Sequence, residues 1–153
     1  MSSQSSKKYK VCVTGFGPFQ GVPRNESWLA VSGLWEETLP PNIKLVTREL
    51  PVVYDIVKDE VGKLWDEEKP DLMIHVGVYK EAGQINVEKC SSNINYTYKD
   101  INENLPEDFV CVKEGPETLE TVLDVDRLCE ISNGLLQENC CRGKCALSTD
   151  PGK

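Results

Sequence analysis

Glu88 is the acidic residue whose place in the sequence best suits catalysis. It ends a short segment, Gln84–Glu88, in which Ile85 and Val87 alternate with polar residues, as in a strand with one buried face. A carboxylate at the end of such a strand can orient a histidine, stabilise a cation or act as a general base. The chain contains 25 acidic residues, so a solvated surface carboxylate is the alternative interpretation of Glu88.

A glycine-containing loop with two aromatic residues, Gly15-Phe16-Gly17-Pro18-Phe19, follows the first apolar segment. It matches neither a Walker A sequence nor a dinucleotide-binding fingerprint, so a small phosphate- or nucleotide-binding domain is a distant alternative. Phe16 and Phe19 are better suited to enclose a small, flat, uncharged ring. From the residues alone, the more frequent role of an aromatic residue, a place in the core, is favoured for both.

Seven cysteines and one histidine provide no recognisable metal site and no Cys–His pair. The close cluster of Cys140, Cys141 and Cys145 lacks the Cys-x-x-Cys or histidine partners that zinc sites use. His75 lies inside an apolar run, which predicts a hydrogen-bonded histidine in the core. We therefore expect no metal and ordinary reduced cysteines.

The elements that would position these residues alternate between strands and helices. Apolar or alternating runs predict strands at Val11–Thr14, Ile43–Leu50, Asp71–Val78, Gln84–Glu88 and Lys144–Ser148. Helical spacing predicts a helix through Trp28, Val31 and Trp35, another from Val53 to Trp65 that a break at Lys69-Pro70 follows, and a third from Leu119 to Leu136. Asn25 or Ser27 is expected to cap the first helix.

The order of these elements predicts an α/β fold with a mostly parallel sheet. The continuous apolar run Asp71–Val78 is typical of a strand buried on both faces, whereas residues 91–118 predict a hairpin or a surface excursion. We predict a polar tail over residues 1–10 and a single α/β domain over 11–153. Because the last predicted strand comes at the very end of the chain, the domain is expected to be incomplete at its C-terminal end.

Composition excludes several classes of protein. About a quarter of the 153 residues are Leu, Ile, Val or Phe, which is enough for a core and excludes intrinsic disorder. The net charge of −8 argues against nucleic acid as a partner, and no apolar run is long enough to cross a membrane. The first ten residues are polar and lack the apolar stretch of a signal peptide, so the expected compartment is the cytosol.

Several motifs together resemble one family. In order and spacing they are similar to the motifs of pyroglutamyl-peptidase I: Thr14-Gly-Phe-Gly-Pro-Phe19, Asn25-x-Ser-Trp28, Leu50-Pro-Val-Val-Tyr54, His75-Val-Gly-Val78, Val87-Glu88-Lys-Cys-x-x-Asn93, Gly115-Pro-Glu, Leu123-Asp124 and Ser148-Thr-Asp-Pro-Gly-Lys153. The resemblance covers nearly the whole chain from Val11 onward. It implies an α/β/α sandwich and a cytosolic cysteine peptidase that removes N-terminal pyroglutamate from peptides without a metal or cofactor.

The resemblance also implies site residues. Glu88 matches the glutamate of the family's catalytic set of Glu, Cys and His. The residues that match the pocket for the pyrrolidone ring are Phe16, Phe19, Asn25, Val52, Gly77 and Val78. By analogy with other cysteine peptidases, a thiolate would attack the carbonyl that joins pyroglutamate to the next residue, the histidine would protonate the leaving amine, and Glu88 would hold or polarise that histidine.

The sequence departs from the family pattern in two respects. None of the seven cysteines stands at the nucleophile position, and His75 matches a different, strand-bound histidine, so we expect the chain as written to be inactive. The alternative function is a non-catalytic short form that binds pyroglutamyl peptides or a protein partner. Where relatives have small residues, this chain has Tyr79, Lys80 and Glu81, whose bulk and charge would narrow the pocket or change its specificity. The sequence does not indicate an oligomeric state.

Overall fold

The computed structural model describes residues 7–79, 84–138 and 145–148. Contacts divide the chain into two compact units. The first comprises the residues up to Val78 together with Lys99–Asn104, and the second comprises Tyr79–Tyr98 and the chain from Leu105 onward.

A three-stranded parallel sheet forms the first unit. Its central strand β1 (Tyr9–Phe16) lies between β2 (Ile43–Leu50) and β3 (Leu72–His75). β1 and β2 pair along their whole length, from Tyr9 opposite Ile43 to Phe16 opposite Leu50, so both strands end at the same edge of the sheet. The core of this unit is formed by Cys12, Val13, Val22, Val31, Leu50, Val53 and Leu64.

Helix α1 (Glu26–Gly33) connects β1 to β2 and continues into a 3₁₀ turn at Leu34–Glu36. It packs directly on β1, since a Cβ atom at Gly15 would lie 2.8 Å from the backbone oxygen of Ser27. The predicted helix through Trp28, Val31 and Trp35 is thus confirmed, with Trp35 in the 3₁₀ turn. The Trp28 and Trp35 rings meet edge to face at 5.7 Å.

Helix α2 (Tyr54–Lys63) connects β2 to β3 and continues into a π-helical turn at Leu64–Glu68. The turn ends at Lys69, which has the left-handed dihedral angles φ 47° and ψ 58°, as expected of a break before Pro70. The prediction of a buried strand over Asp71–Val78 is wrong in two respects. β3 covers only four residues, and Ile74 is 41% exposed because β3 lies at the edge of the described three-stranded sheet.

The second unit contains shorter strands. β4 (Ile85–Glu88) pairs in parallel with β7 (Cys145–Ser148), and β5 (Cys90–Ser92) pairs antiparallel with β6 (Thr118–Glu120). Helix α3 (Val125–Glu138) follows β6 and buries Val125 and Cys129. The observed helix therefore begins six positions after the predicted start at Leu119, because Thr118–Glu120 pairs with β5 as a strand. A 3₁₀ turn at Glu107–Phe109 interrupts the predicted surface excursion.

The fold is α/β with a mostly parallel arrangement of strands, as predicted: β1–β2, β1–β3 and β4–β7 are parallel, and β5–β6 is antiparallel. The single domain over 11–153 stays a prediction. In the described part of the chain, every helix is too short or too polar to span a membrane.

Candidate functional site

The loop that follows β1 places the two predicted aromatic residues at the carboxyl edge of the sheet. Phe16 ends the strand, and Phe19 begins a tight turn in which its N–H donates to the Val22 carbonyl (3.1 Å) and its carbonyl accepts from the Val22 N–H (2.8 Å). Gly21 has a φ of 76°, which suits the third position of a type II turn and explains a glycine there. Phe16 and Phe19 are both half-buried, which is compatible with a wall of a binding site.

Asn25 holds this loop against the start of α1. Its Oδ1 accepts from the Ser27 N–H (3.0 Å) and the Ser27 hydroxyl (2.7 Å), so Asn25, one of the two predicted caps, is the N-cap of α1. Its Nδ2 donates to the Gly17 carbonyl (2.9 Å), and the Phe16 N–H donates to Ser27 Oγ (2.9 Å). Asn25 and Ser27 are 5% and 2% exposed, so this buried network fixes the backbone between Phe16 and Gly17. A direct contact between Asn25 and a substrate stays a prediction.

The end of β2 forms the neighbouring wall. The Gly17 N–H donates to the Leu50 carbonyl at 2.8 Å, which joins the loop to the end of β2. Gly17, Pro18, Glu49, Pro51 and Ile101 line an open depression of about 310 Å³ at this edge. Val52, a predicted pocket residue, directly follows Pro51 and is half-buried.

The segment after β3 carries the other two predicted pocket residues. Val76 still donates its N–H to the Thr14 carbonyl (2.9 Å), but Gly77 and Val78 have left the sheet. Gly77 is exposed, and an added Cβ atom there would have no neighbour within 4 Å, whereas Val78 is half-buried. Next to them Tyr79 is 53% exposed, and Lys80 and Glu81 lie outside the described residues.

His75 is hydrogen-bonded, as predicted, but it is not a core residue. Its Nδ1 lies 2.7 Å from Oγ1 of the fully buried Thr14, while the residue as a whole is exposed at the end of the edge strand β3. Desolvation lowers the pKa of His75. The neutral imidazole is therefore the form that this position favours.

Glu88 lies in the second unit as the last residue of β4, and it is exposed. Its neighbour Lys89 is held by one side-chain contact and one backbone contact. Its Nζ lies 3.3 Å from Asp126 Oδ2 in α3, and its carbonyl accepts from the Thr121 N–H at 2.9 Å. The carboxyl end of a parallel strand is where α/β sheets hold catalytic groups. The catalytic role of Glu88 stays a prediction.

The described thiols differ in their suitability for nucleophilic chemistry. Burial raises the pKa of Cys12, with a further contribution from Glu68, so this thiol is a poor nucleophile. Cys111 is exposed, and the side chains of Cys140, Cys141 and Cys145 lie outside the description. Among the described residues, His, Cys, Asp and Glu side chains form no group of three that could hold a metal ion.

Two residues that hold the site together were not identified from the sequence as site residues. Ser27 belongs to the Asn25-x-Ser-Trp28 motif, so its position carried a signal, although only as a second possible cap. Asp100 carried none. It is 7% exposed and accepts hydrogen bonds from backbone N–H groups of Tyr54, Asn102 and Asn104.

Comparison with known proteins gives a consistent result. The family model described as pyroglutamyl peptidase matches residues 9–134. Human pyroglutamyl-peptidase 1 is 38% identical over 120 residues, which cover 78% of this chain and 57% of the relative. The pyrrolidone-carboxylate peptidase of Pseudomonas fluorescens is 35% identical over 118 residues, which cover 75% of this chain and 54% of that protein.

Solved structures show the same relationship. Pyroglutamyl peptidase I of Bacillus amyloliquefaciens superposes with a TM-score of 0.77 at 27% identity, over 92% of this chain and 66% of that one. A mutant pyrrolidone carboxyl peptidase of Pyrococcus furiosus superposes with a TM-score of 0.76 at 27% identity, over 94% and 67%. The chain spans little more than half the length of the curated relatives that it matches. With a family match over most of its length and relatives more than one third identical, the chain belongs to the pyroglutamyl peptidase family.

Proposed function

We propose that the native protein removes N-terminal pyroglutamate from peptides, whereas the inactivity of the chain as written, in which none of the cysteines stands at the nucleophile position, stays a prediction. The names of its relatives, pyroglutamyl-peptidase and pyrrolidone-carboxylate peptidase, support this activity. The observation that carries the proposal is the buried Asn25–Ser27–Gly17 network, which fixes an aromatic loop at the carboxyl ends of two parallel strands. Ligands of α/β proteins bind at this edge of the sheet.

The chemistry of the loop suits the pyroglutamyl ring. A five-membered lactam is flat and neutral, so it is recognised by aromatic faces and a few hydrogen bonds rather than by charge. Phe16 and Phe19 would contact the faces of the ring, and Val52 and Val78 would add apolar surface. In this proposal Asn25 acts mainly by shaping the loop, because Oδ1 and one Nδ2 hydrogen are already used within the protein.

Glu88 is the proposed catalytic residue of the described chain. In a cysteine peptidase a thiolate attacks the carbonyl carbon, the bond to the next residue breaks, and a histidine gives its proton to the leaving amine. Glu88 would hold or polarise that histidine. The proposal does not assign the thiol or the histidine to a described residue.

We also place the activity in the cytosol. The exposed free thiol of Cys111 supports this part of the proposal, because such thiols persist best in a reducing compartment. Fractionation of the source cells tests it. Recovery of the protein in the secreted fraction would contradict it.

The experiment compares two substrates on the native protein isolated from its source. We expect release of aminomethylcoumarin from L-pyroglutamyl aminomethylcoumarin and not from the L-prolyl analogue, whose ring has a CH2 group in place of the lactam carbonyl and therefore a basic, protonated amine in place of the neutral amide. Equal rates on both substrates, or no turnover combined with no binding of L-pyroglutamyl-L-alanine in calorimetry, would refute the proposal. Binding without turnover would favour a non-catalytic receptor for pyroglutamyl peptides.

Two substitutions in the same protein separate binding from chemistry. Phe19→Ala removes a proposed contact with the ring and should raise KM by about tenfold, since an aromatic contact of this kind is worth about 1 kcal/mol or more. Glu88→Gln should lower kcat by about a hundredfold or more with little change in KM, as expected for a group that supports proton transfer. Undiminished turnover by the Glu88→Gln variant would remove Glu88 from the mechanism.

A further inference from the structure

We infer that Asp100 is a positioning residue for the pyroglutamyl site: its carboxylate holds the backbone at the start of α2, and thereby Val52, against the site. The inference rests on the proposed function. It concerns a residue that acts through the backbone of its neighbours, not one that takes part in the reaction.

Asp100 first organises its own segment. Its N–H donates to the Asn104 carbonyl at 2.9 Å, and its Oδ1 accepts from the N–H groups of Asn102 and Asn104, both at 2.9 Å. These bonds close Lys99–Asn104 into a turn. The turn belongs to the first unit, although the chain on either side of it belongs to the second.

The same carboxylate then caps helix α2. A helix begins with N–H groups that have no partner in the helix, and the N-cap residue Val53 has no side-chain oxygen to accept from them. Oδ2 of Asp100 accepts from the N–H of Tyr54, the first residue of α2, at 3.3 Å, although the two residues are 46 positions apart. The Ile101 N–H donates to the Val52 carbonyl at 3.1 Å, so two hydrogen bonds fasten the turn to Val52–Tyr54.

Burial and charge make this contact effective. Asp100 and Val53 are each 7% exposed, so water cannot readily replace a lost bond. Burial raises the pKa of Asp100, but the backbone N–H groups of Asn104, Asn102 and Tyr54 outweigh this effect and keep the pKa below its usual value. At neutral pH the carboxylate is ionised, and a negative charge is favourable at the start of a helix.

The contact bears on the site because the turn and the end of β2 form one side of it. Ile101 and Pro51 line the depression together with Gly17 and Pro18. Val52 lies between Pro51 and the capped start of α2. If the bond to Tyr54 is lost, we expect Val52 and Pro51 to move relative to the loop of Phe16 and Phe19, because Asn25 holds that loop against the start of α1.

The test uses Asp100→Asn in the native protein. An Asn side chain retains one oxygen with two lone pairs for Asn102 and Asn104, but it presents an amide N–H to Tyr54 and removes the cap. The matched control is Asp71→Asn. Asp71 Oδ2 also accepts a backbone N–H, that of Lys10 at 2.8 Å, in the same unit but at the opposite end of the sheet. KM, kcat and the melting temperature are measured with L-pyroglutamyl and L-prolyl aminomethylcoumarin.

We expect Asp100→Asn to raise KM for the pyroglutamyl substrate about fivefold, the effect of one lost hydrogen bond, with kcat within about twofold. Asp71→Asn should leave both constants within about twofold. An unchanged KM in Asp100→Asn, or equal rises in both variants, overturns the inference while the proposed function stands. If the wild-type protein does not prefer the pyroglutamyl substrate, the proposed function fails, and the inference fails with it.

A second pair of variants applies if Asp100→Asn does not fold. Tyr54→Pro removes the same N–H donor at the first helical position, where proline is tolerated, and the extended angles of Val53 (φ −135°, ψ 118°) suit a residue that precedes proline. Tyr54→Ala removes the phenol but keeps the N–H. A KM for Tyr54→Pro about fivefold above that of Tyr54→Ala supports the inference, and equal values overturn it.

Discussion

The two units of this protein use their polar residues in different ways. The four buried polar residues of the described chain, Thr14, Asn25, Ser27 and Asp100, all belong to the first unit, where each accepts or donates hydrogen bonds. In the second unit the described ion pairs are exposed: the side chains of Lys89 and Asp126, for example, are 44% and 64% exposed. A buried hydrogen bond is costly to break, whereas an exposed ion pair contributes little.

The buried polar residues of the first unit fix the backbone conformation, whereas the exposed charged residues of the second unit mainly contact water. The buried bonds of the first unit surround the loop and strand ends that we propose to bind pyroglutamate. We therefore expect substitutions there to change stability strongly, and substitutions of the exposed pairs in the second unit to change it weakly.

The largest effect is expected for Asn25→Ala. The substitution removes the cap of α1 and leaves the Gly17 carbonyl without its donor, so the free energy of unfolding should fall by about 3 kcal/mol in urea denaturation. Asn25→Asp keeps the cap oxygen but turns a carboxylate oxygen toward the Gly17 carbonyl, so it should also be destabilising. The control Asn102→Ala truncates an exposed amide and should stay within about 0.5 kcal/mol. Equal losses of unfolding free energy for Asn25→Ala and the control would contradict the strong contribution of buried polar residues in the first unit.

Gly15→Ala should have the next largest effect. Its Cβ atom would lie 2.8 Å from the Ser27 oxygen and the Trp28 Cα atom, both of them backbone, so α1 would have to move away from β1. We expect a loss of about 2 kcal/mol, seen as a lower melting temperature. Gly33→Ala is the matched control, because no atom lies within 4 Å of the added Cβ and alanine favours a helix. A melting temperature for Gly15→Ala at or above that of Gly33→Ala would contradict the close packing of α1.

A smaller effect is expected on lowering the pH. Desolvation holds the folded-state pKa of His75 below its usual value, so the unfolded chain binds this proton more readily. The part of the free energy of unfolding that depends on neutral His75 is therefore fully present above the usual histidine pKa of about 6.5. It is lost as the pH falls from there through the folded-state pKa. His75 is the one histidine of the chain. Between pH 8 and 5, the urea midpoint should fall more in the wild type than in His75→Asn, and parallel curves would show that His75 is not responsible.

The sequence predicted the local features of both units better than their long-range contacts. Ile43–Leu50 was predicted with its observed bounds because alternation is a property of the strand itself. Asn25 was one of two predicted caps, and its hydrogen bond to the nearby Ser27 N–H is a local contact. The apolar run Asp71–Val78 misled because its burial depends on the neighbours of β3 in the sheet. The contact of Asp100 with Tyr54 joins residues 46 positions apart and left no periodic signal.

The smallest effect is expected for Lys89→Ala. Lys89 and Asp126 are both largely exposed, so the gain from their attraction is offset by the ordering of two side chains and is screened by salt. In a double-mutant cycle with Asp126→Ala, the coupling free energy should be below about 0.5 kcal/mol and should shrink further at high salt. A coupling comparable to the loss for Asn25→Ala would show that the second unit also depends on its polar contacts. The candidate Glu88, next to Lys89 at the end of β4, would then have a more rigid support than the exposed pair implies.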